Sequence, residues 1–204
     1  IMHPSHTYLH EEGIQQYYEE IVDAADIPIV LYKRGPELSD ATIARLAQRE
    51  HVVGVKYAVN DVKAFSKATA TTDADLVWIN GIAERFAPAF ALEGAEGFTT
   101  GIGSFVPKPT LQLHDALENE RWERAREIRE TLRPYEDLRE ETGSGNTFSA
   151  ANNVPAVKYG MELAGLYGGP VREPLVELDE ADMERAEAYY DRISSTLETA
   201  NFAD

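Results

Sequence analysis

The feature that most constrains the fold of this chain is a strand-and-helix unit that recurs through its first half. Short apolar runs predict strands that end near residues 32, 56, 80 and 101, so that successive ends lie 24, 24 and 21 residues apart. Helical patterns of apolar residues fill the intervals between these runs. Strands that alternate with helices in this way indicate a parallel sheet with helices packed outside it. The sequence therefore predicts the α/β class.

The predicted elements divide the chain into an α/β half and a helical half. Residues 1–10 are interpreted as the tail of a strand followed by a loop. Strands are predicted over residues 27–32, 52–56, 76–79 and 97–101, and helices over 11–25, 41–49, 61–69 and 83–92. The second half is predicted to be helical over residues 109–119, 122–132, 135–143 and 154–166, and Asp179 is predicted to cap a last helix.

Polar side chains cluster where the predicted strands finish. These residues are Tyr32, Lys56, Asn80, Thr99 and Thr100. The carboxyl ends of parallel strands meet at one edge of a sheet, and that edge carries the site in parallel α/β folds. Tyr32 and Lys56 occupy equivalent places in successive units, so we expect their side chains to point into the same site at this edge of the sheet.

Lys56 is the strongest candidate for chemistry in this cluster. It follows the apolar run Val52-Val53-Gly54-Val55, which is typical of a buried parallel strand. Burial disfavours the ammonium form of a lysine, and the neutral amine is a nucleophile towards a carbonyl. The alternative is a lysine that leaves the end of the strand and reaches solvent.

Composition excludes several classes of protein. The chain has 204 residues, no cysteine and a net charge of −17, which argues against disulfides, cysteine-based sites, nucleic acid and anionic membranes as partners. No apolar stretch approaches the length of a membrane span, and no segment has the anatomy of a signal peptide. A soluble, cytoplasmic protein is expected. Because the sequence begins Ile1-Met2-His3-Pro4, it is expected to start inside a longer protein.

The acidic surface leaves two interpretations open. Lysine occurs six times and the rest of the positive charge is arginine. This balance is compatible with a high-salt cytoplasm and equally with an ordinary acidic enzyme.

Four stretches resemble the dihydrodipicolinate synthase / N-acetylneuraminate lyase family of (β/α)₈ enzymes. Residues 27–32 resemble the fifth strand of that barrel, which ends in an active-site tyrosine, and Val53-Gly54-Val55-Lys56 resembles the sixth, with its Schiff-base lysine. Asn80-Gly81 and residues 94–107 resemble the seventh and eighth strand ends. Residues 164–175, with the run Gly169-Pro170-Val171-Arg172, resemble the C-terminal helical signature of the family.

This resemblance implies a TIM barrel, of which the chain holds about the last four βα units. Residues 1–108 would form the C-terminal half of the barrel, and residues 109–204 would form a C-terminal helical region. The threonine-rich loop that binds the substrate carboxylate in the family is not in this sequence. Because a half barrel leaves a sheet edge open, the missing N-terminal half is expected to be another chain, a further segment, or absent with loss of activity.

The resemblance also implies a mechanism. Lys56 would condense with the carbonyl of a 2-oxo acid to form an imine, and Tyr32 would shuttle protons. Gly81, Thr99 and Thr100 would lie against the substrate. No cofactor and no metal are expected, and the resemblance implies a homo-oligomer, either a tetramer or a dimer.

One departure from the family bears on the substrate. Dihydrodipicolinate synthases carry an arginine five residues beyond the tyrosine of the fifth strand, whereas this chain has Glu37 there, with Arg34 nearer and differently placed. A dehydratase or aldolase of a 2-oxo-3-deoxy sugar acid is therefore the leading prediction. The alternatives are 4-hydroxy-tetrahydrodipicolinate synthase, which joins pyruvate to aspartate semialdehyde, and a non-catalytic fragment or homologue that binds a small oxo acid.

Other residue patterns favour structural roles. His3, His6 and His10 have almost the spacing of metal ligands, but their segment is not convincingly helical. Lys33 and Arg34 are interpreted as solvated loop charges rather than contacts to the substrate. Gly101-Ile102-Gly103 is only a fragment of a dinucleotide fingerprint, and an open phosphate-binding α/β domain is disfavoured because the chain lacks a glycine-rich phosphate loop.

Overall fold

A computed structural model describes residues 1–4 and 8–198 of the chain. His6 lies outside the described residues. Packing divides the chain into two compact units, one formed by residues 1–82 and 89–99, the other by residues 83–88 and the described residues from 100 onward. The domain division predicted after residue 108 stays a prediction.

The first unit is built on a four-stranded parallel sheet, which confirms the predicted α/β class. Its strands are β1 (Ile29–Lys33), β2 (Val52–Tyr57), β3 (Val77–Asn80) and β4 (Gly97–Phe98), and they lie side by side in chain order. Its helices include α1 (Glu11–Ala24), α2 (Asp40–Leu46) and α3 (Val62–Thr71), and α4 (Ala87–Leu92) follows β3. Neighbouring strands of this kind need a crossover connection, which the helices supply.

The helices that connect the strands begin where capping residues allow. The side chain of Ser39 accepts a hydrogen bond from the Thr42 amide at the start of α2. Asp61 caps α3 in the same way through the Ala64 amide. Each cap satisfies an amide that has no partner within its helix.

One face of the sheet is covered by helices. Leu31 and Val55 are completely buried on this face, and Trp78 is nearly so. Helix α3 covers it through Phe65, whose ring packs edge-on against Tyr57 and Trp78 at centroid distances of 5.2 and 5.7 Å. Burial of such aromatic side chains provides much of the stability of a small α/β core.

The opposite face of the sheet is much less covered. Side chains alternate between faces along a strand, and the strand register places Val30, Tyr32, Lys56, Val77 and Ile79 on this second face. Val30 and Val77 are 37% and 44% exposed. The face that carries Lys56 is therefore apolar and open within the described residues.

The outer edge of β1 carries a further strand-like segment. The Ile1 amino group donates to the Val30 carbonyl at 2.6 Å, and the Tyr32 amide donates to the Ile1 carbonyl at 2.8 Å. These two bonds have the pattern of a parallel bridge. They agree with the interpretation of the first residues as the tail of a strand.

The second unit is helical. It comprises α5 (Pro107–Glu118), α6 (Trp122–Glu140), α7 (Asn153–Leu163) and α8 (Glu180–Glu198), and two short 3₁₀ turns, Glu84–Phe86 and Ile102–Ser104. The Asp182 amide donates to the Asp179 side chain at 2.8 Å, which confirms the predicted cap of the last helix. No helix in the described part of the chain is both long and apolar enough to cross a membrane.

Several predicted boundaries differ from the structure, and three of the differences have a physical cause. Helix α6 is continuous where two helices were predicted, because Leu132, Tyr135 and Leu138 on both sides of Pro134 are buried in one core. The predicted helix over 83–92 begins with a 3₁₀ turn, because Ala83 has a positive φ of 64°. The predicted strand over 97–101 ends at Phe98, before the second 3₁₀ turn.

Candidate active site

Tyr32 and Lys56 face each other across neighbouring strands, as the repeat of strand ends predicted. The two residues are register partners in β1 and β2, so their side chains leave the same face of the sheet. The Lys56 Nζ lies 4.2 Å from the centroid of the Tyr32 ring. A cation at this distance over an aromatic face is attracted by the ring quadrupole. The phenol ring therefore fixes the amine at the carboxyl end of the sheet.

No ion pair neutralises the Lys56 amine within the described part of the chain. Both Lys56 and Tyr32 are half-buried. Among residues 1–4 and 8–198, no carboxylate forms an ion pair with Lys56. An amine without an ion-pair partner on an open face is accessible to a small electrophile, which a lysine nucleophile requires.

The interpretation of Lys33 as a solvated loop charge was wrong. It is the last residue of β1 and only 5% exposed, on the covered face of the sheet. Its Nζ donates to the Leu38 carbonyl and lies 3.5 Å from Asp40. A buried ammonium needs such partners because its desolvation is costly. Arg34, the next residue, is exposed as predicted.

Gly81 lies where the end of β3 approaches the end of β2. Its amide donates to the Tyr57 carbonyl at 2.7 Å. A Cβ at this position would come within 2.7 Å of the Ala58 Cβ and 3.0 Å of its backbone. Only glycine therefore allows the two strand ends to pack this closely.

Asn80 and Thr99 complete the strand ends of the first unit. Asn80 is fully buried, and its side chain accepts a hydrogen bond from the Ile82 amide at 2.9 Å, which closes the turn after β3. The Thr99 amide donates to the Asn80 carbonyl at 2.9 Å, directly after β4. The backbone thus brings Thr99 beside the end of β3, while its contact with a substrate stays a prediction.

Thr100 belongs to the second unit, and its hydroxyl has partners there. It donates to Oε1 of Glu84 and accepts a hydrogen bond from the Gly103 amide at 2.7 Å. The residue is exposed, although its oxygen is used within the turn. Its role as a substrate contact stays a prediction.

Sequence reasoning missed a buried cluster of charged residues in the second unit. Glu84, Glu136 and Arg139 are 0%, 5% and 8% exposed. The Arg139 guanidinium bonds to Glu136 and, at 3.2 Å, to Asn153. The helical spacing of the sequence could have indicated that Glu136 and Arg139 are buried. Both residues continue the stripe of Ile128, Leu132 and Tyr135 that packs into the core.

Burial changes the acidity of this cluster. Desolvation, followed by the negative charge of Glu136, raises the pKa of Glu84 to about 8. Desolvation also raises the pKa of Glu136, and the nearby Arg139 opposes that shift. Burial thus shifts both glutamates towards the protonated form.

The histidine pattern has structural roles in the described residues. His3 is buried, with its ring nitrogen 3.2 Å from the Tyr18 hydroxyl. His10 caps α1 by accepting a hydrogen bond from the Glu12 amide. Across the described ranges, no group of three His, Cys, Asp or Glu side chains has an arrangement that could hold a metal ion.

Comparison with known proteins places these features in one family. Residues 1–192 match the dihydrodipicolinate synthetase family. A probable 5-dehydro-4-deoxyglucarate dehydratase of Saccharopolyspora erythraea is 29% identical over 90% of this chain and 59% of that protein. A 4-hydroxy-tetrahydrodipicolinate synthase of Archaeoglobus fulgidus is 30% identical over 83% of this chain and 56% of that protein. The chain thus spans between half and two thirds of the length of these relatives.

Solved structures of related proteins have the same fold as this chain. Dihydrodipicolinate synthase from Oceanobacillus iheyensis is 34% identical, with a TM-score of 0.86 over 96% of this chain and 64% of that one. A catalytic lysine mutant of a Ruminococcus gnavus sialic acid aldolase, 23% identical with a TM-score of 0.81 over 97% of this chain and 64% of that one, shows the same fold. The match over residues 1–192 shows that this chain belongs to the dihydrodipicolinate synthetase family.

Proposed function

We propose that the protein is a Schiff-base-forming lyase that acts on a 2-oxo acid, with Lys56 as nucleophile. The observation that carries this proposal is the Lys56 amine, held 4.2 Å from the Tyr32 ring centroid on the open face of a parallel sheet. The site lies at the carboxyl ends of the strands, where parallel α/β enzymes bind their substrates.

The chemistry follows from the amine. The neutral Lys56 Nζ attacks the carbonyl carbon of the oxo acid, and loss of water from the carbinolamine gives an imine. The imine accepts the electrons left by a proton lost from the neighbouring carbon, and the resulting enamine expels a hydroxyl group from the next carbon. Retro-aldol cleavage uses the same electron sink. Tyr32 supplies and removes protons during these steps.

We favour a dehydratase of a 2-oxo-3-deoxy sugar acid. Relatives from Saccharopolyspora erythraea and Methylobacterium radiotolerans, 29% and 32% identical, are both named as probable 5-dehydro-4-deoxyglucarate dehydratases. Glu37 supports the same choice, because it stands where dihydrodipicolinate synthases carry the arginine for the carboxylate of their second substrate.

The second candidate is 4-hydroxy-tetrahydrodipicolinate synthase. It is supported by the Archaeoglobus fulgidus relative of that name, which is 30% identical. Both candidates use the same lysine, so they differ in the second substrate and in the product.

A panel of 2-oxo-3-deoxy sugar acids, assayed for release of water-loss or cleavage products, tests the proposal. We expect turnover of at least one acid by the protein and none by Lys56→Ala. The matched control is Lys63→Ala, which removes an exposed lysine of α3 in the same unit. Turnover retained in Lys56→Ala would contradict the proposal, and condensation of pyruvate with aspartate semialdehyde would favour the second candidate.

We also propose that further strands complete a (β/α)₈ barrel around the open face of the sheet. The exposed valines of that face and the strand-like pairing of Ile1 at the edge of β1 support this view. The chain holds 59% of the length of its Saccharopolyspora relative. The intact mass of the untagged protein should exceed the 22.7 kDa of these 204 residues, or a second chain should copurify with it.

Assembly of the complete protein into a dimer or tetramer remains part of the proposal. Light scattering of the purified protein measures it directly, and a monomer that turns over substrate would contradict it.

A further inference from the structure

The sheet continues by one row of residues beyond the level of the candidate nucleophile. The Ala58 amide donates to the Lys33 carbonyl at 2.7 Å, and the Gly81 amide donates to the Tyr57 carbonyl at the same distance. These bonds extend the parallel ladders past the last register partners of β1, β2 and β3. Arg34 directly follows β1 and therefore lies beside Ala58, with Gly81 next in the row.

This outer row belongs to the open face of the sheet. Residues two positions apart along a strand point to the same face, and the step between them is about 6.6 Å. Arg34 follows Tyr32 by two positions, and Ala58 follows Lys56 in the same way. Because these are the carboxyl ends of the strands, the row lies beyond the amine, on the side where parallel α/β enzymes bind their substrates.

The middle of the outer row has little side-chain bulk. Ala58 carries a methyl group and Gly81 has no side chain, and the two positions are so close that a Cβ at Gly81 would lie 2.7 Å from that of Ala58. The Thr99 amide donates to the Asn80 carbonyl at 2.9 Å, which places Thr99 next to Gly81. A guanidinium and a hydroxyl therefore stand at the two ends of a row that leaves room for substrate carbons.

Arg34 carries a charge that no group neutralises within the described part of the chain. It is exposed, and no ion pair or hydrogen bond joins its guanidinium to another described residue. Glu37 is the nearest acid in the sequence, but its carboxylate lies over Gly35, where a Cβ would collide with it. The loop itself is fixed, because Leu38 is fully buried and its carbonyl accepts a hydrogen bond from Lys33. The Arg34 side chain is thus available to a ligand.

A guanidinium at this place suits an anionic group of the substrate. Guanidinium binds carboxylate through two parallel hydrogen bonds. The net charge of −17 repels anions from the protein as a whole, so a doubly charged substrate needs a fixed cation at the site. Four carbon–carbon bonds between an imine carbon and a terminal carboxyl carbon span roughly 5 Å, at about 1.5 Å per bond. That span is comparable to the step of about 6.6 Å between the two rows.

We propose that Arg34 determines specificity by binding the distal carboxylate of a dicarboxylic 2-oxo-3-deoxy sugar acid, whose carbonyl carbon is held by Lys56. Ala58 and Gly81 leave room for the carbons between these two groups. The inference rests on the proposed function and narrows it, because a monocarboxylic acid of the same length has an uncharged group where the guanidinium binds.

Two unbranched oxo acids of equal length test the distal carboxylate. The far end of 2-oxoadipate is a carboxylate, and the far end of 2-oxohexanoate is a methyl group. In calorimetric titrations of the complete protein, we expect 2-oxoadipate to bind at least about 10-fold more tightly, the scale of one charge-assisted contact. Arg34→Gln should abolish this preference, and Arg34→Lys should keep part of it because the charge remains. Equal affinities in the wild type, or an unchanged preference in Arg34→Gln, would overturn the proposal.

Lys63→Gln is the matched control for the change in charge. Lys63 is an exposed cation of α3 in the same unit and lies outside the outer row. The substitution removes one positive charge, as Arg34→Gln does, so the preference for 2-oxoadipate should remain. An equal loss of preference in both variants would indicate a general effect of net charge and would contradict a specific contact with Arg34.

Borohydride trapping separates this proposal from the lysine chemistry. Pyruvate has no distal group, so its adduct on Lys56 should form to the same extent in the wild type and in Arg34→Gln. A weaker pyruvate adduct in Arg34→Gln would contradict a role confined to the distal end of the substrate. If the wild type forms no adduct with any of the three acids, the proposed function fails, whereas the calorimetric preference still decides the role of Arg34.

Discussion

The two faces of the sheet give their lysines different surroundings. Lys33 is the last residue of β1 and Lys56 the next-to-last residue of β2, yet Lys33 lies on the covered face and Lys56 on the open one. Lys33 has a carbonyl and a carboxylate as partners, and Lys56 has the face of an aromatic ring. The same side chain is thus a structural cation on one face and a candidate nucleophile on the other.

The difference teaches that surroundings, and not residue type, separate the two roles. A buried ammonium must be neutralised by fixed partners, so it cannot act on a substrate without loss of stability. An amine over an aromatic ring can leave that contact to react with a substrate at little cost in stability, because an exposed cation–π contact contributes only about 0.5–1 kcal/mol. The comparison predicts opposite effects of the same substitution at the two positions.

Replacement of Lys56 should have the largest effect, and it should be on activity. Lys56→Met is expected to lower kcat/KM by at least about 10⁴-fold, the scale of losing a catalytic nucleophile. The free energy of unfolding should change by less than about 1 kcal/mol, because only the ring contact is lost. Steady-state kinetics and urea unfolding measure both. Large destabilisation with retained activity would reverse the comparison.

Removal of the Tyr32 hydroxyl should have the next largest effect. Tyr32→Phe keeps the aromatic ring below the amine but removes the proton shuttle, so kcat should fall by about 10²-fold or more. Kinetics on the acid identified by the substrate panel provide the measurement. Activity equal to that of the wild type would show that the tyrosine only positions Lys56 through its ring.

Lys33 should show the reverse pattern. Lys33→Met leaves Asp40 without its partner in a partly buried place, and we expect a loss of about 1–3 kcal/mol in the free energy of unfolding. Turnover by the fraction that remains folded should be close to that of the wild type. Chemical denaturation followed by circular dichroism measures the loss, and an unchanged midpoint would contradict the assigned structural role.

Gly81 should give the smallest effect of this series. Gly81→Ala places a methyl group within 2.7 Å of the Ala58 Cβ, and relief of that clash separates the ends of β2 and β3. A destabilisation of about 1–2 kcal/mol is expected from such overpacking. Gly97→Ala is the matched control, because its Cβ would meet no atom within 4 Å. Equal midpoints for both variants would contradict the close approach.

Much of the first unit could be predicted from the sequence because its signals are local. The four apolar runs, the cap at Ser39 and the pairing of Tyr32 with Lys56 all follow from periodicity and spacing. The environment of Lys33 could not be predicted, because it depends on which face of the strand is covered. The raised pKa of Glu84 could not be predicted either, since Glu136, which contributes to it, lies 52 positions away in the sequence.

The most direct test of the central claim is peptide mapping after borohydride reduction in the presence of pyruvate. The protein is treated, digested and analysed by mass spectrometry, so that the modified lysine is identified by position. We predict a reduced pyruvate adduct on Lys56 and none on Lys33. An adduct on Lys33, or no adduct on Lys56 in the complete protein, would contradict the account.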